Sequence, residues 1–348
     1  MRGIKHAILF ILFLHSLSFA AYGQEVQTTL QFLGAYYFPG HEGFGSDELL
    51  IPPDYSVLSR TDTAGEIDPA LDPGRKIGNG LGSAEMKAVI EQKRKYPFMD
   101  KPGFLTEGNN LTAKYSFELS PVSINALAQL SLTPLAFVQL HAGAAAGTGW
   151  TLVFNGLGRN LPGDDLETVK SEPFSGMVYR LWQATTLQFD AAAFFPGDWH
   201  HVVISATGRF EYKAFTGAGR NEAWQYEADD GQNFNGFKYL GSYFLGYRMP
   251  LMVDTVGMLF ETEQWIDHNT TRSMLKDDGW GSDIPELTFG PLVNLSFKDG
   301  SSLAVLFQFK NGIDFTDETS GYRYFGYRRS EGIYVKLHRI ALRYVRNM

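Results

Sequence analysis

The sequence predicts an all-β chain whose antiparallel strands close into a transmembrane barrel. Apolar and polar residues alternate without interruption over residues 202–214, which is the period of two of a β-strand. Beyond the N-terminal region, no window of the sequence approaches the roughly 20 apolar residues of a spanning helix. The connections between the predicted strands are alternately short and long, and this layout is typical of barrels that cross a membrane.

The segment HHVVISATGRFEYKAF, residues 200–215, shows the strand pattern most clearly. Val202 and Phe210 fall on its apolar side, whereas Arg209, Glu211 and Lys213 fall on the other. In a soluble sandwich the apolar side would face a protein core. In a transmembrane barrel it would face lipid, and the ionic side would line the lumen. The alternation fits both folds, and the order of the whole chain favours the barrel.

The N-terminus has the three parts of a secretory signal peptide. Arg2 and Lys5 precede an apolar run over residues 7–17, and the small residues that follow allow cleavage after Ala20 or Gly23. The apolar run is about half as long as a spanning helix requires. The N-terminal segment is therefore expected to direct export and to be removed.

Composition restricts the fold and the partners further. With residues 1–23 assigned to the signal peptide, residues 24–348 are expected to form a single barrel domain. The chain contains no cysteine, which excludes disulfides and thiolate chemistry. Its formal net charge of −8 argues against nucleic acid as a partner. Aromatic residues make up 14% of the chain, as expected when alternate residues meet lipid.

Ten segments have the alternation and the flanking turn residues of strands. They are residues 28–38, 111–133, 135–147, 176–195, 199–215, 236–249, 251–264, 286–297, 302–311 and 332–346. About ten strands place both termini at the rim of short turns. The apolar parity changes at Ser120–Pro121, which indicates either a bulge in one long strand or a turn between two. The bulge preserves the alternation of connections and is favoured; the turn, with extra strands near residues 322–329, gives twelve.

Residues 39–110 form the longest connection and differ in composition from the rest. Pro, Gly, Asp and Glu dominate, and one short helix is predicted from Ser83 to Lys95, with Met86, Val89 and Ile90 on its apolar face. A segment of this length without predicted strands is longer than a loop that only connects two strands. It is expected either to extend from the surface or to fold into the lumen as a plug.

Taken together, these features resemble those of the bacterial outer-membrane β-barrel proteins, with a porin-like architecture, across nearly all of the mature chain. The resemblance implies residence in the outer membrane, contact with its lipid, short periplasmic turns and long extracellular loops. It also implies insertion by the barrel assembly machinery. Such barrels commonly end in an aromatic residue, whereas this chain ends in Met348 after Tyr344. No specific family is matched.

The polar face of the predicted strands provides the candidate lumen lining. By continued alternation, its members are Arg180, Gln188, Asp190, Arg209, Glu211, Lys213, Lys238, Arg248 and Asp254. These charges could pair across neighbouring strands and fill a narrow interior. They could instead line a constricted passage that selects small solutes.

The stretch YRYFGYRR, residues 322–329, interleaves arginines with aromatic rings. Its candidate contacts with phosphate or sulfate groups on lipid or glycan headgroups are Arg323, Arg328, Arg329, Tyr324 and Tyr327. A strand extension whose rings form the outer aromatic girdle is the alternative.

No motif in the sequence indicates a catalytic site, a metal site or a cofactor. The favoured function is a narrow porin-like channel for small solutes. The alternative is a closed barrel that acts as a structural or ligand-binding, adhesin-type protein at the surface. An outer-membrane hydrolase is the least favoured hypothesis, because no stretch matches a hydrolase motif such as GxSxG.

Overall fold

The computed structural model describes residues 25–38, 83–103, 105–152, 156–160, 169–171, 173–219, 223–227, 233–266, 285–319 and 328–348. The predicted signal peptide and residues 39–82 of the predicted plug lie outside these ranges. Among the described residues, no helix combines the length and the apolar character needed to cross a membrane.

Twelve antiparallel strands form a closed barrel, so the predicted fold class is confirmed and the strand number is the alternative of twelve. All strands in chain order are β1 Glu25–Tyr37, β2 Ser83–Pro97, β3 Asn110–Leu119, β4 Ser123–Leu135, β5 Val138–Gly149, β6 Gly158–Asn160, β7 Val169–Ser171, β8 Val178–Asp190, β9 His201–Phe215, β10 Ala223–Gln225, β11 Gly236–Arg248, β12 Val253–Trp265, β13 Glu286–Ser296, β14 Ser302–Thr319 and β15 Arg328–Asn347. The short strands β6, β7 and β10 form a separate three-stranded sheet.

The first and last strands close the ring. β1 pairs with β15 from Thr29↔Asn347 to Tyr37↔Arg339, and its other edge pairs with β2 over the whole length of β1. Closure leaves no open sheet edge, which is the condition for strands to sit in a solvent that cannot hydrogen-bond to the backbone.

Side chains alternate between the two faces of the barrel. On β9, Phe210 is 50% exposed on the outside whereas Glu211 is 4% exposed on the inside. On β2, Met86 is 64% exposed and Glu91 is 8% exposed. An apolar exterior with a polar interior is the pattern of a membrane-spanning barrel and the reverse of a soluble one.

The helix predicted from Ser83 to Lys95 is wrong, because this segment is strand β2. Met86 and Ile90 both face outward, as the helical interpretation also allowed. Val89, however, points to the other side and is buried. The glutamates and lysines of this segment lie at odd-numbered positions, on the inner side of the strand.

The single bulged strand favoured for residues 111–133 is also wrong. Residues 120–122 form a turn between β3 and β4, closed by a 2.9 Å backbone hydrogen bond from Ser120 to Ser123. The turn reverses the chain, and this accounts for the change of apolar parity at Pro121. Because β2 adds a strand and the turn adds another, the count rises from ten to twelve and the termini stay on one rim.

The four longest connections share one rim of the barrel, and five of the seven shorter ones share the other. The long-loop rim carries residues 38–82, 120–122, 150–177, 216–235, 266–285 and 320–327. The short-turn rim carries residues 98–109, 136–137, 191–200, 249–252 and 297–301, together with both ends of the barrel sheet. The short connection at 120–122 leaves a low point in the long-loop rim, and a neighbouring loop extends toward it.

Candidate functional site: the inner face of the barrel

Hydrogen bonds link polar side chains around a large part of the inner face, in a series that we call the inner belt. Its members in order are Glu261, Gln308, Arg339, Tyr37, Glu85, Lys87 and Glu227, on β12, β14, β15, β1, β2 and the loop between β9 and β11. Ionised groups take part in most of these bonds, and such bonds are shorter and stronger than neutral ones.

Gln308 and Tyr37 connect the charged members of the inner belt. The Gln308 amide donates to Glu261 over 2.6 Å and accepts from Arg339 over 2.5 Å. The Tyr37 hydroxyl accepts from Arg339 over 3.1 Å and donates to Glu85 over 2.8 Å. Since Gln308 is fully buried, these contacts fix one part of the wall as a rigid, polar surface.

On the facing wall, cations stack on tryptophan rings. The Arg209 guanidinium lies 4.3 Å from the centroid of Trp182 and forms an ion pair with Glu211. The Trp182 indole donates to Gln129 on β4 over 3.3 Å. Stacking on the ring and pairing with a carboxylate together hold the arginine against the wall.

The same arrangement recurs closer to the long loops. Lys238 forms an ion pair with Glu263 and lies 4.2 Å from the centroid of Trp265. Lys213 lies 5.1 Å from the centroid of Trp224 and donates to Asn233 over 2.5 Å. Both lysines extend along aromatic rings, so their charge is presented at a defined place on the inner face.

The structure places the sequence-predicted lining residues at three heights in the barrel. Arg180, Glu211, Lys213 and Lys238 lie near the long-loop rim. Arg209 lies at mid-height, where it pairs with Ala184 at the middle of β8. Gln188, Asp190, Arg248 and Asp254 lie near the short-turn rim.

The short-turn group makes local contacts. Asp190 meets His201 over 2.7 Å and accepts from the backbone of Ala192, and Gln188 donates to the carbonyl of Ala136 over 3.2 Å. These contacts join the end of β8 to the start of β9 and to neighbouring turns. They serve the closure of the turns at this rim.

Asp254 reaches the inner face through an irregularity in β12. The register with β13 shifts between Val253 and Thr255. The Asp254 carboxylate then accepts from Asn294 over 2.8 Å and from Ser296 over 2.5 Å. A bulge of this kind redirects a side chain from one face to the other.

Glu227, which lies in the loop between β9 and β11, was missed from the sequence and holds the most connected position. Its carboxylate accepts from Lys87 over 2.5 Å, from Ser123 over 2.7 Å and from Asn125 over 2.9 Å. Lys87 belongs to β2, which is five strands from β9 in the ring of twelve. The loop therefore extends across the end of the lumen to a nearly opposite wall.

Tyr226 occupies a space that glycines leave on β5. Its hydroxyl donates to Asn125 over 2.8 Å. A Cβ atom at Gly147 would lie 2.7 Å from that hydroxyl, and one at Gly149 would lie 3.5 Å from the ring. The absence of a side chain at Gly147 therefore allows the hydroxyl of Tyr226 to approach β5 closely.

An apolar cluster supports the base of the same loop. Its members are Leu157, Val178, Phe215, Trp224 and Tyr226, which come from two loops and from strand ends. β10 in this loop pairs with β6 in the loop between β5 and β8. The two loops consequently form one structured layer over this part of the long-loop rim.

Opposing effects act on the ionisation of Glu227. Burial would raise the pKa of its carboxyl, but the charge and hydrogen bond of Lys87, together with the Ser123 hydroxyl, hold that pKa below its ordinary value. Burial and the nearby charge of Glu227 raise the pKa of Tyr226. Glu227 is therefore ionised and Tyr226 protonated at neutral pH.

The predicted headgroup contacts are only partly described. Arg328 and Arg329 are the first residues of β15, at the long-loop rim. Arg323, Tyr324 and Tyr327 lie outside the described residues. Arg328 and Arg329 are part of a strand, as the strand-extension alternative predicts. Contact with headgroups stays a prediction.

One serine–histidine contact bears on the hydrolase hypothesis. His141 Nδ1 lies 2.8 Å from the hydroxyl of Ser131, and its Nε2 lies 3.1 Å from the hydroxyl of Thr186. A nucleophilic serine needs a base that a third group orients and stabilises when it is charged. Thr186 supplies no charge, so the contact between Ser131 and His141 is interpreted as part of a polar inner wall and not as a catalytic pair. In the described ranges, no group of three or more His, Asp or Glu side chains is arranged to hold a metal ion.

Comparisons with known proteins give likenesses among solved structures alone. No protein-family model matches the chain, and no curated protein matches it. Among solved structures it is similar to the outer membrane channel DcaP of Acinetobacter baumannii, at 7% identity and a TM-score of 0.35, with 95% of this chain and 99% of that chain covered. The closed-barrel fold is therefore assigned from the strand pairing itself.

Proposed function

We propose that the protein is a porin-like barrel of the bacterial outer membrane that lets small polar solutes through a narrow lumen. The observation that carries the proposal is the distribution of charge. Arginine, lysine and glutamate side chains are concentrated on the inner face, while apolar side chains cover the outer face. Outer-membrane lipid is the expected surrounding, and the barrel assembly machinery is the expected route of insertion.

The lining favours a narrow and weakly selective passage. Arg209 and Lys238 each have a carboxylate partner, so fixed charges of both signs occur side by side. A solute that enters would exchange its water for these paired groups. Small solutes with hydrogen-bonding groups suit such a wall better than large or apolar ones.

A closed barrel that acts at the surface is the second candidate. It is favoured by the fully buried Gln308 and the extensive pairing of the inner belt, because paired side chains can also fill an interior completely. The two candidates differ in one property, which is the flow of ions through the purified protein.

Reversal potentials in a planar bilayer test the channel directly. Lys213→Glu exchanges a cation of the inner wall, and Lys298→Glu makes the same exchange at an exposed turn of the short-turn rim. The channel predicts discrete conductance in the wild type, a clear shift toward cation selectivity in Lys213→Glu, and a smaller shift in Lys298→Glu. Folded wild-type protein that conducts no current would exclude the channel and support the closed barrel.

A further inference from the structure

We infer that Tyr226 and Glu227, in the loop between β9 and β11, set the size limit of the passage. This inference rests on the proposed channel and identifies the part of it that determines which solutes fit. The residues that hold Tyr226 and Glu227 in place, which we call the seat, are Lys87, Ser123, Asn125, Gly147 and Gly149.

The loop is anchored at both walls of the barrel. At its base, Trp224 and Phe215 pack together with ring centroids 5.7 Å apart, beside the end of β9. Farther along the loop, Glu227 bonds to β4, three strands from β9, and to β2, five strands from β9. A segment that leaves one wall and ends on a nearly opposite wall must narrow the opening between them.

The seat fits these two residues closely. Ser123 and Asn125 direct a hydroxyl and an amide at the Glu227 carboxylate, and Lys87 is also bound by Glu85 over 2.9 Å. The missing side chain of Gly147 leaves room for the tyrosine hydroxyl, and Gly149 lies in contact distance of the ring. A loop with no specific position on the rim would not be expected to meet both a positioned cation, Lys87, and a position without a side chain, Gly147.

Backbone conformation gives independent support. Glu227 has a positive φ of 62°, which is uncommon for a residue with a side chain and costs free energy. Its carbonyl accepts a 2.8 Å hydrogen bond from Gly156 in the neighbouring loop. Contacts on both sides of the residue therefore maintain a conformation that an unconstrained loop would avoid.

The low point in the long-loop rim explains why the loop seats where it does. The β3–β4 turn is only residues 120–122, and it ends at Ser123, which binds Glu227. A longer loop at that place would cover the inner face of β4 from above. Because the turn is short, it does not cover Ser123 and Asn125 itself, and the Glu227 carboxylate reaches and buries both.

Three variants test the inference in planar bilayers with the full chain. Glu227→Gln removes the charge at constant size, and the double variant Tyr226→Ala/Glu227→Gln also removes the ring. Glu107→Gln is the matched control, since this exposed glutamate lies in the 98–109 connection of the opposite rim. Single-channel conductance and the largest polyethylene glycol that enters the channel are measured for each.

The double variant should raise conductance by at least about twofold, because current follows the free cross-section at the narrowest point. It should also admit larger polymers, and Glu227→Gln should change in the same direction by less. The control should match the wild type. Equal conductance and equal polymer cut-off in all four proteins would overturn the inference while leaving the channel intact. Absence of current in all four would instead overturn the proposed function.

A cysteine at the tip provides a second readout that does not depend on loop release. Because the chain has no cysteine, Glu227→Cys introduces a single reactive thiol. A bulky water-soluble thiol reagent should reduce the current of Glu227→Cys and leave Glu107→Cys unaffected. Complete labelling at position 227 with no change in current would show that the residue lies away from the passage and would overturn the inference.

Discussion

Gly143 on β5 should not tolerate even a methyl group, although its backbone conformation suits any residue. A Cβ atom there would lie 2.3 Å from Cζ2 of Trp182 and 2.9 Å from the carbonyl of Ala128. The carbonyl belongs to the paired strand and cannot move, so the ring has to be displaced. Gly143→Ala therefore tests whether Trp182 lies flat against the inner wall, as the structure places it.

The cost can be added from the contacts that the ring makes. Overpacking a fitted site costs about 1–3 kcal/mol. Displacement of Trp182 also loses the stacking of Arg209, about 0.5–1 kcal/mol at a partly exposed site, and the hydrogen bond to Gln129, about 1 kcal/mol. Partial retention of these contacts gives a total destabilisation of about 2–4 kcal/mol.

Urea unfolding of the barrel in lipid, followed by tryptophan fluorescence, measures this cost. Gly34→Ala is the matched control, since its Cβ would meet only the carbonyl of Glu85 at 3.9 Å. A Gly143→Ala barrel as stable as the Gly34→Ala barrel would refute the placement of Trp182. In a Trp182→Leu background the cost of Gly143→Ala should shrink, because the smaller side chain leaves space.

Two further predictions concern the seat and the outer face. The lowered pKa of Glu227 means that its contribution to seating is complete above the ordinary glutamate value of 4.5 and is lost as pH falls through the lowered value. Conductance of the wild type should therefore rise only at a pH below that ordinary value, and Glu227→Gln should lack this step. A midpoint near neutrality would contradict the account. Leu187→Arg, on the lipid face, should destabilise the folded barrel by about 2–4 kcal/mol. Gln188→Arg, on the inner face, should cost far less in the same unfolding assay. Equal losses of unfolding free energy would show that the two faces are not distinguished by lipid.

Strands with strict alternation could be predicted from the sequence, and the reason is physical. β9 presents Phe210 outward and Glu211 inward, and the polarity of the residues along the strand indicates one consistent assignment of its two faces. β2 carries the same information in its Glu and Lys residues at every second position. Its apolar residues, however, fit a helical spacing as well as a strand, and Val89 breaks the inner polar pattern. The local periodicity of β2 was therefore compatible with a helix and with a strand, and only its pairing with β1 identifies it as a strand.

The error at Pro121 followed from the error at β2. With β2 counted as a helix, a turn at residues 120–122 broke the alternation of short and long connections. With β2 counted as a strand, the same turn lies on the long-loop rim, and the connections after it keep the rims that were predicted for them. The two mistakes cancelled in the parity of the strand count, and the predicted position of the termini was therefore unaffected.

The inner-face candidates were found where strand alternation was clear, and the seat was missed. Glu227 lies in an acidic loop, and nothing near it in the sequence indicates that Lys87 is its partner. The two residues are far apart in the chain and meet only because the ring brings β2 almost opposite β9. The glycines at 147 and 149 were the one available signal, since they marked a wall against which another group could pack.

Cysteine accessibility across one pair of adjacent residues tests most directly whether the apolar face meets lipid and the polar face meets water. Thr207 contacts the Thr186 hydroxyl over 2.8 Å on the inner face, whereas Ala206 pairs with the outward-facing Leu187. In lipid vesicles, a charged, water-soluble thiol reagent should label Thr207→Cys and leave Ala206→Cys unlabelled. Labelling of Ala206→Cys to the same extent as Thr207→Cys, or in its place, would contradict the transmembrane barrel.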